Sequence, residues 1–265
     1  MTTSPPIRWV SEQHEAGALA FRVGRRGEDL VAEFAGLATL FATRDGRELA
    51  FEPTPGADPV GIAKVRRSLV PALLRHATGK LTLHGAAVSR GGLVVSLIGA
   101  SGVGKSTLGA ELCARHGAAL VADDTTAIEL DRDAPRVSPT ESVHWLVDGS
   151  LEPRPGDAKA PVSPPRTADG PGRLAAVCAL VFDTSLTEPE LRRLRGQAAL
   201  ARLVPNVIRL VVDEPAAQEL ELAALAKLVA HVEVHELRRP PGMDAQRASA
   251  SLVASLLAPG EDKES

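Results

Sequence analysis

Residues 93–107 read Leu-Val-Val-Ser-Leu-Ile-Gly-Ala-Ser-Gly-Val-Gly-Lys-Ser-Thr. Leu93–Ile98 is an apolar run of strand length that leads straight into a glycine-rich loop. Gly99–Ser106 matches G-x-x-x-x-G-K-[ST] at every fixed position. Leu108, Leu112 and Ala114 continue at helical spacing to about Arg115, with Gly117 beyond the end. Strand, loop and helix in that order predict an anion site. The glycines let backbone N–H groups approach an anion with no Cβ in the way, and the helix turns its positive end toward the same place. Lys105 adds a full charge that reaches β- and γ-phosphate oxygens, and the Ser106 hydroxyl can ligate magnesium. Gly99, Ala100, Ser101, Gly102, Val103, Gly104, Lys105, Ser106 and Thr107 are the expected nucleotide-binding residues, with ATP and Mg2+ as the expected cofactors.

Two flanking signals carry further chemistry. Downstream, Leu120-Val121-Ala122 runs into Asp123-Asp124, and Asp123 lies 18 residues after Lys105. An apolar strand that ends in acid is the arrangement in which a carboxylate holds Mg2+ beside a phosphate loop. Adjacent acids at a strand end are costly unless they face a cation or a substrate. Upstream, His84 sits on Leu81–Ser89, the strand expected just before Leu93–Ile98.

The rest of the chain sets these elements in an alternating α/β layout. Residues 1–60 read as a small β-rich segment, with Leu19–Val23 and Asp29–Phe34 as strands and Pro53, Pro55 and Pro59 marking a linker. Ile62, Val65, Leu69, Leu73 and Leu74 recur at helical spacing, with Gly79 as the C-cap glycine. Strands are expected at Ala118–Ala122, Thr125–Leu130, Leu174–Phe182, Val207–Val212 and Val232–Leu237. Leu151–Arg173, crowded with Pro, Gly and Asp, reads as a long loop. Helices are expected at Pro189–Leu203, at Ala216–Val229 with Asp213 as N-cap, and at Ala245–Leu257 with Asp244 as N-cap. A main domain over 61–258 and a frayed tail over 259–265 complete the layout.

Composition excludes several classes. Lys and Arg number 30 against 33 Asp and Glu, and only 3% of residues are aromatic, so a nucleic-acid partner is not expected. Two cysteines, Cys113 and Cys178, make no disulfide framework. With no signal-peptide pattern and no apolar run of membrane-spanning length, a soluble cytoplasmic protein with no membrane partner is expected. The only asparagine, Asn206, precedes Val207, so the Asn-Lys-x-Asp guanine-reading motif is missing. A Leu-Ser-Gly-Gly transporter signature is missing too.

Taken together, Leu83-His84-Gly85-Ala86-Ala87-Val88, Gly99–Ser106 and Leu120-Val121-Ala122-Asp123-Asp124 resemble the catalytic domain of HPr kinase/phosphorylase and its relatives, which include kinases of serine in peptide precursors. The resemblance covers roughly 62–130, is weak from 131 onward and is absent over 1–60. It implies an α/β phosphate-loop fold akin to phosphoenolpyruvate carboxykinase. It also implies an ATP-dependent kinase that transfers the γ-phosphate to a hydroxyl, serine in a protein or peptide. By the same resemblance Asp123 accepts the hydroxyl proton and His84 orients that carboxylate. Lys105 binds the β- and γ-phosphates, Ser106 ligates Mg2+, and Asp124 is a metal-side carboxylate. The family's Glu-Ile-Arg-Gly-type segment after the two acids is missing, which leaves Glu129 and Glu141 as substitutes for its metal ligand. Two other readings stay open: a kinase of a small-molecule hydroxyl such as a free amino acid, and a nucleotide-sensing module that transfers nothing. The oligomeric state, a homo-oligomer included, also stays open.

Overall fold

A computed structural model describes residues 5–15, 17–130, 134–147, 159–209 and 215–258. The expected N-cap at Asp213, the strand reading beyond Arg209, the tail 259–265 and the first part of the Leu151–Arg173 loop lie outside the described residues. The chain divides into two compact units: residues 1–82 with 208–224, and residues 83–207 with 225–265. The boundary thus falls at Thr82, not at residue 60, because the helix after the expected linker packs on the N-terminal strands.

In the first unit, β1 (Arg8–Glu15), β2 (Ala18–Arg26), β3 (Asp29–Phe34), β4 (Ala38–Ala42) and β5 (Glu48–Pro53) form an antiparallel sheet in chain order. Residues alternate in burial along β4, which is how a sheet with one covered face behaves. The chain enters the cover through α1 (Pro59–Lys64), and the cover itself is the π-helical turn at Val65–Leu69 with α2 (Val70–Ala77). Val23, Leu30 and Leu40 meet Ala72 and Leu73 in a closed apolar cluster. Pro59 is not linker punctuation. It is the first residue of α1, and Asp58 caps it by accepting from Val60 N and Gly61 N at 3.2 and 2.9 Å. The π turn precedes Pro71, which has no N–H for the helical ladder, and there Val70 N–H reaches back to Val65 O.

The second unit carries β6 (Thr82–Arg90), β7 (Leu93–Ile98), α3 (Lys105–Arg115), β8 (Ala119–Ala122), β9 (Thr125–Glu129), β10 (Arg136–Val137), β11 (His144–Val147) and β12 (Lys159–Val162). It continues through β13 (Gly172–Phe182), β14 (Glu190–Leu194), α4 (Gly196–Leu203), the later part of α5 (Pro215–His231), β15 (Glu233–Arg239) and α6 (Met243–Ser255). The central sheet runs β10-β9-β6-β7-β13-β15-β14, with β8 also paired to β6, while β11 and β12 form a separate hairpin. β7, β13 and β15 are parallel, and β6 and β14 run against their neighbours, so this is a mixed α/β sheet. Leu108 and Leu112 of α3 and Val253 of α6 bury against Leu97, Cys178 and Leu237 of the parallel strands. No described helix is long and apolar enough to cross a membrane.

Three expectations fail here. The loop reading over Leu151–Arg173 gives way at Lys159–Val162, which pairs with His144–Val147 as an antiparallel hairpin. The helix expected over Pro189–Leu203 is strand β14 followed by α4. The break falls before Gly196, whose φ of 52° few side-chain-bearing residues adopt. Arg192 and Arg193 pair across to Glu236 and Glu233 of β15 at 3.1 and 2.6 Å, so charges that read as helix surface are cross-strand pairs. Asp244 does not cap the last helix. Gly242 holds that position and Asp244 lies in the first turn, where its charge meets the positive helix end.

Candidate functional site

The loop that follows β7 leaves the sheet beside the start of β6. Gly85 pairs with Ile98, so the next position outward sets His84 against Gly99. Glycine is required at two loop positions. A Cβ on Gly99 would stand 2.7 Å from Leu180 O, and Gly104, the N-cap of α3, has φ 89°. The helix then opens at Lys105, and its first N–H groups have no carbonyl four residues back to bond.

Three side chains hold the loop. Asn206 Oδ1 accepts from Gly99 N at 2.9 Å, Lys105 Nζ donates to Gly99 O and Ala100 O at 2.8 and 3.1 Å, and Arg239 Nη2 donates to Val103 O at 2.9 Å. Lys105 is buried, its ammonium folded over the first carbonyls of its own loop. An anion with stronger acceptors can take those N–H bonds over.

On the other flank of β6, Gly85 N–H donates to Asp124 O at 3.1 Å, so the two acids stand at the same sheet end as the loop. Their side chains part there. Asp123 is buried, with Oδ1 3.1 Å from His144 Nδ1 and Oδ2 accepting Trp145 N–H at 2.8 Å. Asp124 keeps 39% of its side chain exposed, and its Oδ1 lies 3.6 Å from His84 Nδ1. The expected contact between His84 and Asp123 is therefore not made, and His84 is paired one residue further along. The two acids form the bend between β8 (Ala119–Ala122) and β9 (Thr125–Glu129), and the turn of the chain there sends their side chains to different partners.

Glu129 ends β9 opposite Arg136, away from the two acids. Glu141 follows Thr140, whose N–H donates to Val121 O near the end of β8. Among the described residues no cluster of three or more His, Cys, Asp or Glu is disposed to hold a metal ion. The oxygen donors that remain, Ser106 and Asp124, suit Mg2+, which is commonly held by one or two protein oxygens together with phosphate oxygens and water.

The sequence reading missed His144, Asn206 and Arg239. In the sequence Asn206 bears only on a guanine motif, and His144 stands in a stretch with no periodicity. Arg239 ends a strand and carried no signal beyond that position.

No protein-family model and no curated protein matches the chain. Among solved structures it is similar to the Hpr(Ser) kinase/phosphatase from Coxiella burnetii, with 13% identity over 66% of this chain and 93% of that one, at a TM-score of 0.39. That is a distant likeness of chain path.

Proposed function

We propose that the chain is an ATP-dependent phosphotransferase that moves the γ-phosphate to a hydroxyl, serine in a protein or peptide. The observation that carries this reading is the accessible His84–Asp124 pair at the sheet end that also bears the Gly99–Ser106 loop. A phosphate cradle alone serves many proteins. A carboxylate with an orienting histidine next to it serves a reaction in which a hydroxyl loses a proton.

The roles divide as follows. Backbone N–H groups of the loop and of the first turn of α3 receive the phosphates. Lys105 exchanges its carbonyl partners for phosphate oxygens. Asp124 takes the hydroxyl proton, and His84 fixes the carboxylate's orientation. Asp123, whose two oxygens already accept donors, anchors residues 144–145 and takes no proton. Mg2+, held by Ser106 and phosphate oxygens, would neutralise charge that builds up on the transferring group. In a loose transition state positioning outweighs base strength, so an ordinary carboxylate suffices.

The test uses purified protein, ATP and magnesium against a panel of serine peptides and, separately, free amino acids. Acceptor-dependent ADP release with a matching mass shift on a peptide supports the proposal, and labelling of a free amino acid alone favours a small-molecule kinase. One observation favours a module that binds nucleotide and transfers nothing: the filled carboxylate of Asp123 leaves Asp124 as the accessible acid of the pair. Tight ATP binding with no labelled acceptor in either panel would establish that second reading.

A further inference from the structure

Arg239 brings to the loop a buried charge that no described carboxylate balances. Its neighbours on β14, α4 and β15 find acids: Arg192 and Arg202 share Glu236, and the adjoining Arg238 pairs with Asp183. Arg239 is only 3% exposed, yet it has no carboxylate within ion-pair distance among the described residues. Its partners are Val103 O, at 2.9 Å, and the face of Phe182, 4.9 Å from the guanidinium carbon. Its Nε is buried and bonds nothing. Burial pushes its pKa down to about 10, and no acid opposes that shift. Gln246, 3% exposed, stands beside it with a buried and unbonded Nε2.

Both side chains crowd one point. A Cβ on Gly104 would lie 2.6 Å from Arg239 Nη2 and 3.6 Å from Gln246 Oε1. Gly104 caps α3, so a buried, uncompensated cation sits against the loop where the helix's own positive end emerges. A charge placed so is costly in the protein alone and becomes favourable once a counter-ion arrives.

We propose that Arg239 is a positioning residue for a polyphosphate held in the Gly99–Ser106 loop: it fixes Val103–Gly104 from behind and supplies charge that the bound anion balances. This rests on the phosphate-loop reading. The interaction acts through the loop and is blind to the nucleoside, so inorganic tripolyphosphate and ATP gain equally from it.

The experiment titrates tripolyphosphate and Mg-ATP into the full-length wild type and into Arg239→Met, Arg239→Lys and Lys105→Ala, and records melting temperatures with and without ligand. Arg239→Met should weaken both ligands by the same factor, about tenfold or more. Arg239→Lys should recover most of that loss. Unliganded Arg239→Met should melt no lower than wild type, since a buried unpaired charge has been removed. A purely structural arginine gives the opposite signs: lower unliganded melting with affinity kept within about twofold, or a variant that does not fold, and either result overturns the proposal. Wild type and Lys105→Ala binding tripolyphosphate equally, or not at all, would instead overturn the phosphate-loop reading.

Discussion

His84 Nδ1 lies 3.6 Å from Asp124 Oδ1, while the neighbouring Asp123 turns inward to His144. Asp124→Asn should therefore be the damaging substitution for transfer. It keeps shape and removes the proton acceptor, so turnover should fall by about 10²-fold or more while ATP affinity stays nearly intact. Single-turnover transfer beside a nucleotide titration separates the two. If Asp124→Asn instead abolishes magnesium-dependent ATP binding and spares transfer at saturating ATP, the carboxylate is a metal ligand.

Asp123 should act on stability. Asp123→Ala leaves the buried His144 Nδ1 and the half-buried Trp145 N–H without an acceptor, and a buried orphaned group costs about 1–3 kcal/mol. Urea unfolding should show that loss, and a smaller one for Asp123→Asn, which keeps one oxygen. Asp124→Asn, at a half-exposed position, should stay within about 0.5 kcal/mol of wild type.

His84→Ala should cost transfer on the order of 10-fold, as groups that orient a reacting side chain do. Combined with Asp124→Asn it should add little, because the two act as one unit. Independent multiplication of the two losses in a four-member kinetic cycle would show that His84 works through something else.

Gly104→Ala tests the loop. The residue sits at φ 89°, and its new Cβ would stand 2.6 Å from Arg239 Nη2. Backbone strain of about 1–3 kcal/mol joins a clash with a buried side chain. ATP affinity should collapse much as in Lys105→Ala, while circular dichroism shows the fold retained. Near-normal affinity in either variant would mean that the loop is not the nucleotide site.

The loop and its flanking strands were legible because they are local: Leu93–Ile98 matches β7 residue for residue, and glycines at 99, 102 and 104 serve positive φ. β14 was not legible, because Glu190–Leu194 becomes a strand only through pairing with the sequence-distant β15. The same holds for the carboxylates. The sequence offers two adjacent acids and several histidines, and the bend at 123–124 with tertiary contact decides that His84 meets Asp124 and His144 meets Asp123. Arg239 and Asn206 reach the loop across long sequence separations, so no spacing rule could find them.

The first unit should lose stability in acid, and His76 is the reason. Its ring is 7% exposed on α2, its Nδ1 is buried without a bond, and its Nε2 lies 3.6 Å from Glu221 Oε2. Arg209 already grips that carboxylate through Nε and Nη2 at 2.8 and 2.5 Å. Burial lowers the His76 pKa from its ordinary value. Glu221 opposes that shift without cancelling it, and Arg209 adds to it. A histidine whose folded pKa lies below its unfolded value binds fewer protons when folded. Its contribution is therefore complete above the ordinary pKa of about 6.5 and is lost as pH falls below it. Urea midpoints taken at falling pH should decline across that range in wild type. In His76→Gln, which cannot take a proton, the decline should be shallower, whatever the variant's stability at neutral pH. An unchanged pH slope in His76→Gln would assign the acid sensitivity to another group.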